Sequence, residues 1–168
     1  MYKLLCPDLV AVSLLSILSE DFARQNVKGI ILDLDNTIIP WDSKEMPQEI
    51  VHWLQERLND GFQICLLSNN TKRRVKEIAD TLEIPFVYRA FKPAKTGFRK
   101  AVEIMNLPPN EVAVIGDQLF TDILGGNRMG LFTIWVSPLA NQEFVGTKIT
   151  RQFERFAIYL LRRKGLLK

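Results

Sequence analysis

From Val27 onward the sequence alternates short apolar runs with amphipathic stretches of helical length, and no other property constrains the fold as tightly. Strands and helices in strict alternation satisfy their backbone groups and bury their apolar faces together as a parallel sheet with crossover helices. The apolar runs predict strands over 28–34, 62–67, 85–88, 112–115 and 131–136. Between them helices are predicted over 47–59, with Pro47 at the first helical position, and over 72–82, 96–105 and 119–128. Two more helices are expected to flank this unit, over about 9–25 and about 150–164. The expected fold is α/β, three-layered and Rossmann-like, around a central five-stranded parallel sheet. No internal repeat or linker-like stretch interrupts residues 1–168, so a single domain is expected.

Composition excludes several alternatives. With 47% hydrophobic and 24% charged residues, the chain can bury a core and is not disordered. Its two cysteines rule out a disulfide scaffold, and Cys65, inside the apolar run 62–67, reads as a buried reduced thiol. The apolar stretch 9–18 is broken by Ser13 and Ser16 and falls short of the roughly 20 residues that span a bilayer. The polar segment Ser19-Glu-Asp-Phe-Ala-Arg-Gln-Asn26 follows it where a signal peptide would need a cleavage site, so a cytoplasmic location is expected. The net charge of +3 conceals an asymmetry: 148–168 holds seven Lys/Arg and one Glu, or +6, which leaves −3 on 1–147.

Ligands of such sheets bind beyond the carboxyl ends of the strands, and four polar clusters fall there. They are Asp33-Leu-Asp35-Asn-Thr37, Ser68-Asn69-Asn70-Thr71, Lys92-Pro-Ala-Lys95, and Gly116-Asp117 through Asp122. Alternation along a strand puts Asp33 and Asp35 on one face, and Asp117 is expected to join them. Three converging carboxylates need a hard divalent cation, and an oxygen-only ligand set favours Mg²⁺. His52, the lone histidine, lies on a predicted helix away from the strand ends, which argues against zinc and against histidine-dependent chemistry. Ser68 and the helix N-terminus after it offer donors to a phosphate, and the cations Lys72-Arg73-Arg74 are misplaced in a first helical turn unless an anion lies near.

A D-x-D-x-T after a strand, then a Ser, then a Lys, then G-D-x-x-x-x-D after later strands, resembles the haloacid dehalogenase superfamily, specifically its capless subfamily IIIA phosphatases. The runs Gly29-Ile-Ile-Leu-Asp-Leu-Asp-Asn-Thr-Ile-Ile-Pro-Trp-Asp42 and Gly116-Asp-Gln-Leu-Phe-Thr-Asp-Ile-Leu-Gly-Gly-Asn-Arg-Met-Gly130 resemble the bacterial YqeG family, related to mitochondrial phosphatidylglycerophosphate phosphatases. The resemblance implies that Asp33 is the nucleophile and a Mg²⁺ ligand, and that Asp35 is the general acid/base, with its backbone carbonyl on the metal. It implies that Ser68 hydrogen-bonds the phosphate, that Lys92 neutralises charge, and that Asp117 and its supporting partner Asp122 complete the metal site. Lys95 could reach the same place as Lys92. Asn36, Thr37, Asn69, Asn70, Lys95 and Arg73 are the candidate substrate-binding residues. Trp41, Asp42, Asn127 and Arg128 are expected at the mouth of the site.

The resemblance also bears on the substrate. The segments 37–62 and 70–92 have no room for a lid domain, so the site is expected to be open and the substrate large. The family relation points to a Mg²⁺-dependent phosphomonoesterase acting on phosphatidylglycerophosphate at a membrane surface. The tail helix, with Phe153, Phe156, Ala157 and Leu160 at helical spacing among arginines, suits peripheral association with an anionic bilayer and equally suits docking on the sheet edge. Phosphoproteins, nucleic-acid ends, small phosphorylated metabolites and a non-catalytic binding role remain open from the residues alone. No nucleic-acid recognition motif is present.

Overall fold

The structure is a computed structural model that describes residues 2–140 and 145–167. Its strands are β1 (Leu9–Ala11), β2 (Gly29–Leu32), β3 (Gln63–Leu67), β4 (Phe86–Val87), β5 (Val112–Gly116) and β6 (Phe132–Val136). Every pairing is parallel, in the order β1-β6-β5-β2-β3-β4. The helices are α1 (Ser19–Ala23), α2 (Gln48–Asn59), α3 (Lys72–Leu82), α4 (Lys95–Met105), α5 (Leu124–Met129) and α6 (Val145–Arg163).

Strand side chains alternate between two cores. Ile30, Leu32, Ile64, Leu66, Ala113 and Ile115 face Trp53 and Leu54 of α2 and Val75 and Ile78 of α3. Ile31, Cys65, Leu67 and Val114 face Phe98, Ala101, Val102 and Met105 of α4 on the other side. Both faces of the inner strands are covered, which is why β2 and β5 are apolar throughout and fully buried.

The amino-terminal expectation is corrected. Residues 9–25 do not form one helix; they form β1, a short 3-10 turn at Leu14–Ser16 and the five-residue α1. The sheet therefore has six strands, β1 adding to the edge of β6. Burial alternates over Leu9, Val10 and Ala11, and this period of two suits the open edge that β6 presents. Short apolar runs do not distinguish strand from helix until that edge exists. Asp8 locks the register: its Oδ2 accepts the Thr133 N–H at 2.8 Å and the Thr133 hydroxyl at 3.0 Å.

Two other differences lie near the carboxyl end. The helix expected over 119–128 opens with one π-helical turn, Leu119–Ile123, before α5. Helix α6 begins at Val145, and among its residues 152–163 it turns Glu154 and Leu161 inward, leaving Phe153 and Phe156 exposed. No helix among the described residues is long and apolar enough to cross a membrane.

Candidate active site

The chain reverses direction across the sheet between β2 and β5, its two central strands, and ligand crevices open at such switch points. Asp33 follows β2 and Asp117 follows β5, so the topology alone sets them side by side. Asp33 donates its N–H to the Ile115 carbonyl at 3.0 Å, which fixes its backbone against the neighbouring strand. Asp33, Asp117 and Asp122 are all buried and offer carboxylate oxygens within 4.8 Å of one another.

Lys92 enters this cluster from the loop after β4. Its Nζ donates to Asp33 Oδ1 at 2.5 Å and to Asp122 Oδ1 at 2.6 Å. Burial works against the ammonium, but the charges of Asp122 and Asp33 outweigh it and hold the lysine above its ordinary range. Asp122 Oδ2 accepts the Gln118 N–H at 3.2 Å. Burial pushes the Asp122 carboxyl up to about 6, with Lys92 opposing and Asp33 adding to the rise. Gly116 makes this geometry feasible, since a Cβ there would lie 2.3 Å from Asp122 Cγ.

Three carboxyls gathered together, two of them sharing a single ammonium, are short of positive charge, and every acidic ligand atom in the set is oxygen. That chemistry fits a hard divalent cation. Asp35, expected to join this group through its side chain, does not. Strand β2 ends at Leu32, so the alternation that would align Asp35 with Asp33 no longer applies. Asn36 takes a left-handed backbone conformation, φ 65°, and Asp35 turns to Arg74 and Asn70. Arg74 donates to Asp35 Oδ1 from Nε at 3.3 Å and from Nη2 at 3.0 Å, and Asn70 Nδ2 donates to Oδ2 at 3.1 Å. Burial and the nearby Asp33 raise the Asp35 pKa, while Asn70 and Arg74 lower it, and the rise prevails. The third carboxyl of the cluster is instead that of Asp122.

An open cavity of about 490 Å³ lies over these groups, lined in part by Asp33, Asp35, Trp41, Ser68 and Lys92. Ser68 is buried, and its Oγ accepts the Asn70 N–H at 3.0 Å, leaving the hydroxyl proton for a partner in the cavity. Thr37 donates its hydroxyl to Asp33 Oδ2 at 3.3 Å. Asn69 grips the backbone of Lys92 on both sides, accepting its N–H at 2.7 Å and donating to its carbonyl at 3.3 Å.

Several expected residues fall elsewhere. Arg73 is on the solvent side of α3, paired with Glu77 at 3.1 Å, so Arg74 is the cation of that run that reaches the site. The i,i+4 spacing of Arg73 and Glu77 was a legible sign of a surface pair. Lys95 is exposed on the first turn of α4, which leaves Lys92 as the lysine in the cluster. Asn36 does not line the cavity; its Oδ1 accepts the Trp41 N–H at 3.1 Å and its carbonyl accepts the Leu139 N–H at 2.8 Å. Asn127 is far from the mouth, donating to the carbonyls of Leu4 and Cys6 at 2.9 Å. Gln118 and Thr121 line the cavity unforeseen, because the π-helical turn that aims them has no simple periodic signal.

The parallel sheet, with its carboxylate and lysine cluster at the switch point, has the haloacid dehalogenase fold, and the family and relatives that the sequence matches make the protein a phosphatase. The chain belongs to the mitochondrial PGP phosphatase family, whose pattern matches residues 2–139. A probable phosphatase, YqeG of Bacillus subtilis, is 42% identical over 163 residues, 97% of this chain and 95% of its own length. The mitochondrial phosphatidylglycerophosphatase GEP4 of Saccharomyces cerevisiae is 34% identical over 130 residues, covering 67% of this chain and 68% of that protein. Among solved structures, 3-deoxy-D-manno-octulosonate 8-phosphate phosphatase from Moraxella catarrhalis, crystallised with magnesium, phosphate and the sugar, shares the fold. It superposes with a TM-score of 0.51 at 16% identity, over 61% of this chain and 65% of that one.

Proposed function

We propose that the protein is a Mg²⁺-dependent phosphomonoesterase that dephosphorylates phosphatidylglycerophosphate to phosphatidylglycerol through an aspartyl-phosphate on Asp33. The observation that carries the chemistry is the buried contact of Lys92 with Asp33 inside a cluster of carboxyls. The family relation, with a yeast relative named as a phosphatidylglycerophosphatase, supports the lipid substrate. An open cavity, with no lid over it among the described residues, suits a headgroup presented by a surface.

Asp33, Asp117 and Asp122 would hold Mg²⁺ with the Asp35 backbone carbonyl, and the bound ion would offset charge on the phosphoryl oxygens. In the first half-reaction an Asp33 carboxylate oxygen attacks phosphorus and the bond to the glycerol oxygen breaks. Asp35, whose pKa is raised by burial and by Asp33, gives its proton to the departing oxygen. In the second half-reaction Asp35 takes a proton from water, the water oxygen attacks phosphorus, and the bond to Asp33 breaks to release inorganic phosphate. Ser68 donates its hydroxyl to a phosphoryl oxygen, and Lys92 screens the negative charge of Asp33 so that an anionic ester can approach. Asp122 acts on Lys92, holding the ammonium in place. Thr37 and Asn70 support Asp33 and Asp35 respectively. The reaction takes place at the cytoplasmic face of the membrane, with the protein bound peripherally.

Phosphate release from phosphatidylglycerophosphate, a sugar phosphate and a phosphopeptide, with and without Mg²⁺, tests this reading. The lipid is expected to be preferred by about 100-fold or more in kcat/KM, the activity to need Mg²⁺, and Asp33→Asn to abolish it. Equal rates on all three substrates, or an active Asp33→Asn enzyme, would overturn it.

A further inference from the structure

Helix α6 exposes three large rings at a spacing of three: Phe153, Phe156 and Tyr159 are 64%, 62% and 58% accessible. The helix does not need them for packing, since Leu161 and Glu154 already bury its inner side. A row of rings left in water on a helix that is otherwise docked marks a surface meant to be covered. The charges beside them are of one sign. Arg155, Arg162, Arg163 and Lys164 are exposed, and from 152 to 167 the only acid is Glu154, which is turned inward.

The position of this face relates it to the active site. Glu154 Oε1 accepts the Phe120 N–H at 3.2 Å, and Phe120 lies between Gln118 and Thr121, which line the catalytic cavity. Tyr159, Arg155 and Arg162 border a second cavity of about 390 Å³ together with Trp135. Trp135 in turn donates its indole N–H to the Asp117 carbonyl at 2.9 Å. Helix α6 is thus fastened to the turn that carries Asp122, and it shares a cavity with the tryptophan that holds the Asp117 carbonyl. Trp41 lines the mouth of the catalytic cavity at 40% exposure, and Phe91, beside Lys92, is 72% exposed.

We propose that the outward face of α6 is the surface by which the protein docks on an anionic lipid bilayer, its rings entering the headgroup layer and its arginines meeting lipid phosphates. The inference rests on the lipid-substrate reading and adds which face meets the membrane and how the cavity is presented to it. Charge complementarity selects this occupant: aromatic rings favour the interfacial zone, and clustered Lys/Arg favour anionic headgroups. A second copy packed face to face would bring these like charges together, which a self-complementary interface disfavours.

Flotation of the full chain with vesicles of phosphatidylcholine alone, or mixed with phosphatidylglycerol, tests the proposal. Wild type is expected to float with the anionic vesicles and to do so less as salt is raised. The variant Phe156→Ser/Tyr159→Ser is expected to lose at least about 10-fold in partition, with hydrolysis of a soluble aryl phosphate unchanged. A second variant, Arg155→Glu/Arg162→Glu, is expected to lose anionic binding while keeping the rings. Failure of wild type to bind either vesicle, equal binding by all three proteins, or a wild-type dimer in sedimentation that the variants abolish would overturn the docking surface. So would preferential binding to single-stranded nucleic acid that outcompetes the vesicles. If the variants lose vesicle binding as expected, yet wild type releases no more phosphate from phosphatidylglycerophosphate than from soluble esters, the surface stands and the substrate reading fails.

Discussion

At the amino end of the sheet, Asp8 meets the N–H and hydroxyl of Thr133, and Asn127 reaches the same hydroxyl and the carbonyls of Leu4 and Cys6. At the carboxyl end, Asp33, Asp117 and Asp122 crowd together, and the first and last of them meet Lys92. Both ends bury polar atoms, but the first group is one carboxylate among matched neutral donors, while the second gathers like charges that repel. Matched hydrogen bonds lower the energy of the fold itself. Gathered carboxylates raise it unless something cationic arrives, so the difference separates a structural network from a site built for a ligand.

Replacing Lys92 with Met should widen that difference most. The carboxyls would lose their ammonium, so aryl-phosphatase activity should fall by about 10³-fold. Metal-free protein should lose about 3 kcal/mol in urea denaturation. A fully active Lys92→Met enzyme would break the contrast between the two ends. A smaller loss is expected for Arg74→Ala, which frees Asp35 and removes donors to the carbonyls of Pro40, Trp41 and Ser43. Here kcat should fall by about 10- to 100-fold with KM for a small ester little changed, because the proposed acid/base would be misplaced while phosphate contacts remain. Arg74→Lys should recover only part of this, since a single ammonium cannot replace the fork.

The amino end should respond in stability alone. Asp8→Ala leaves the Thr133 N–H without its carboxylate and loosens β1, at a cost of about 1–3 kcal/mol, while kcat on an aryl phosphate stays as in wild type. A drop in kcat at full occupancy of the folded state would show that the two ends are coupled. The smallest effect concerns the core between them. Burial pushes the Cys65 thiol up to about 12, from 9.0, so at pH 8 iodoacetamide should modify Cys65 only after denaturant is added. Below pH 9 both folded and unfolded chains hold this proton. Between 9 and 12 only the folded chain does, so stability should fall with rising pH by at most about 1.4 kcal/mol per unit.

Much of the candidate site was legible because its residues sit beyond strand ends. Asp33, Ser68, Lys92 and Asp117 each follow an apolar run, and a parallel sheet brings all such positions to one edge. Where a residue's contacts depend on the path of a loop, the local sequence does not specify them. Asp35 is two residues from Asp33, yet the left-handed turn at Asn36 sends it to a different partner. Arg73 and Arg74 are adjacent in sequence, and the helical rotation of one residue separates a surface ion pair from a clamp on Asp35. Likewise the tail helix was legible as amphipathic, but which side it would bury was not.

Alternating apolar runs by themselves determined a parallel sheet with helices on both faces, and the residues that close those runs determined where the candidate site lies. Local periodicity and backbone hydrogen bonding suffice for that, because they depend on near neighbours in the chain. The tertiary structure decided the sixth strand, the exchange of Asp35 for Asp122 in the carboxylate cluster, the entry of Arg74 and the outward aromatic face of α6. Each of these depends on a partner distant in sequence: the open edge of β6 for Leu9–Ala11, Lys92 for Asp122, Asp35 for Arg74, and the Phe120 N–H for Glu154. A partner of that kind contributes free energy only once the chain has folded and the two groups have met.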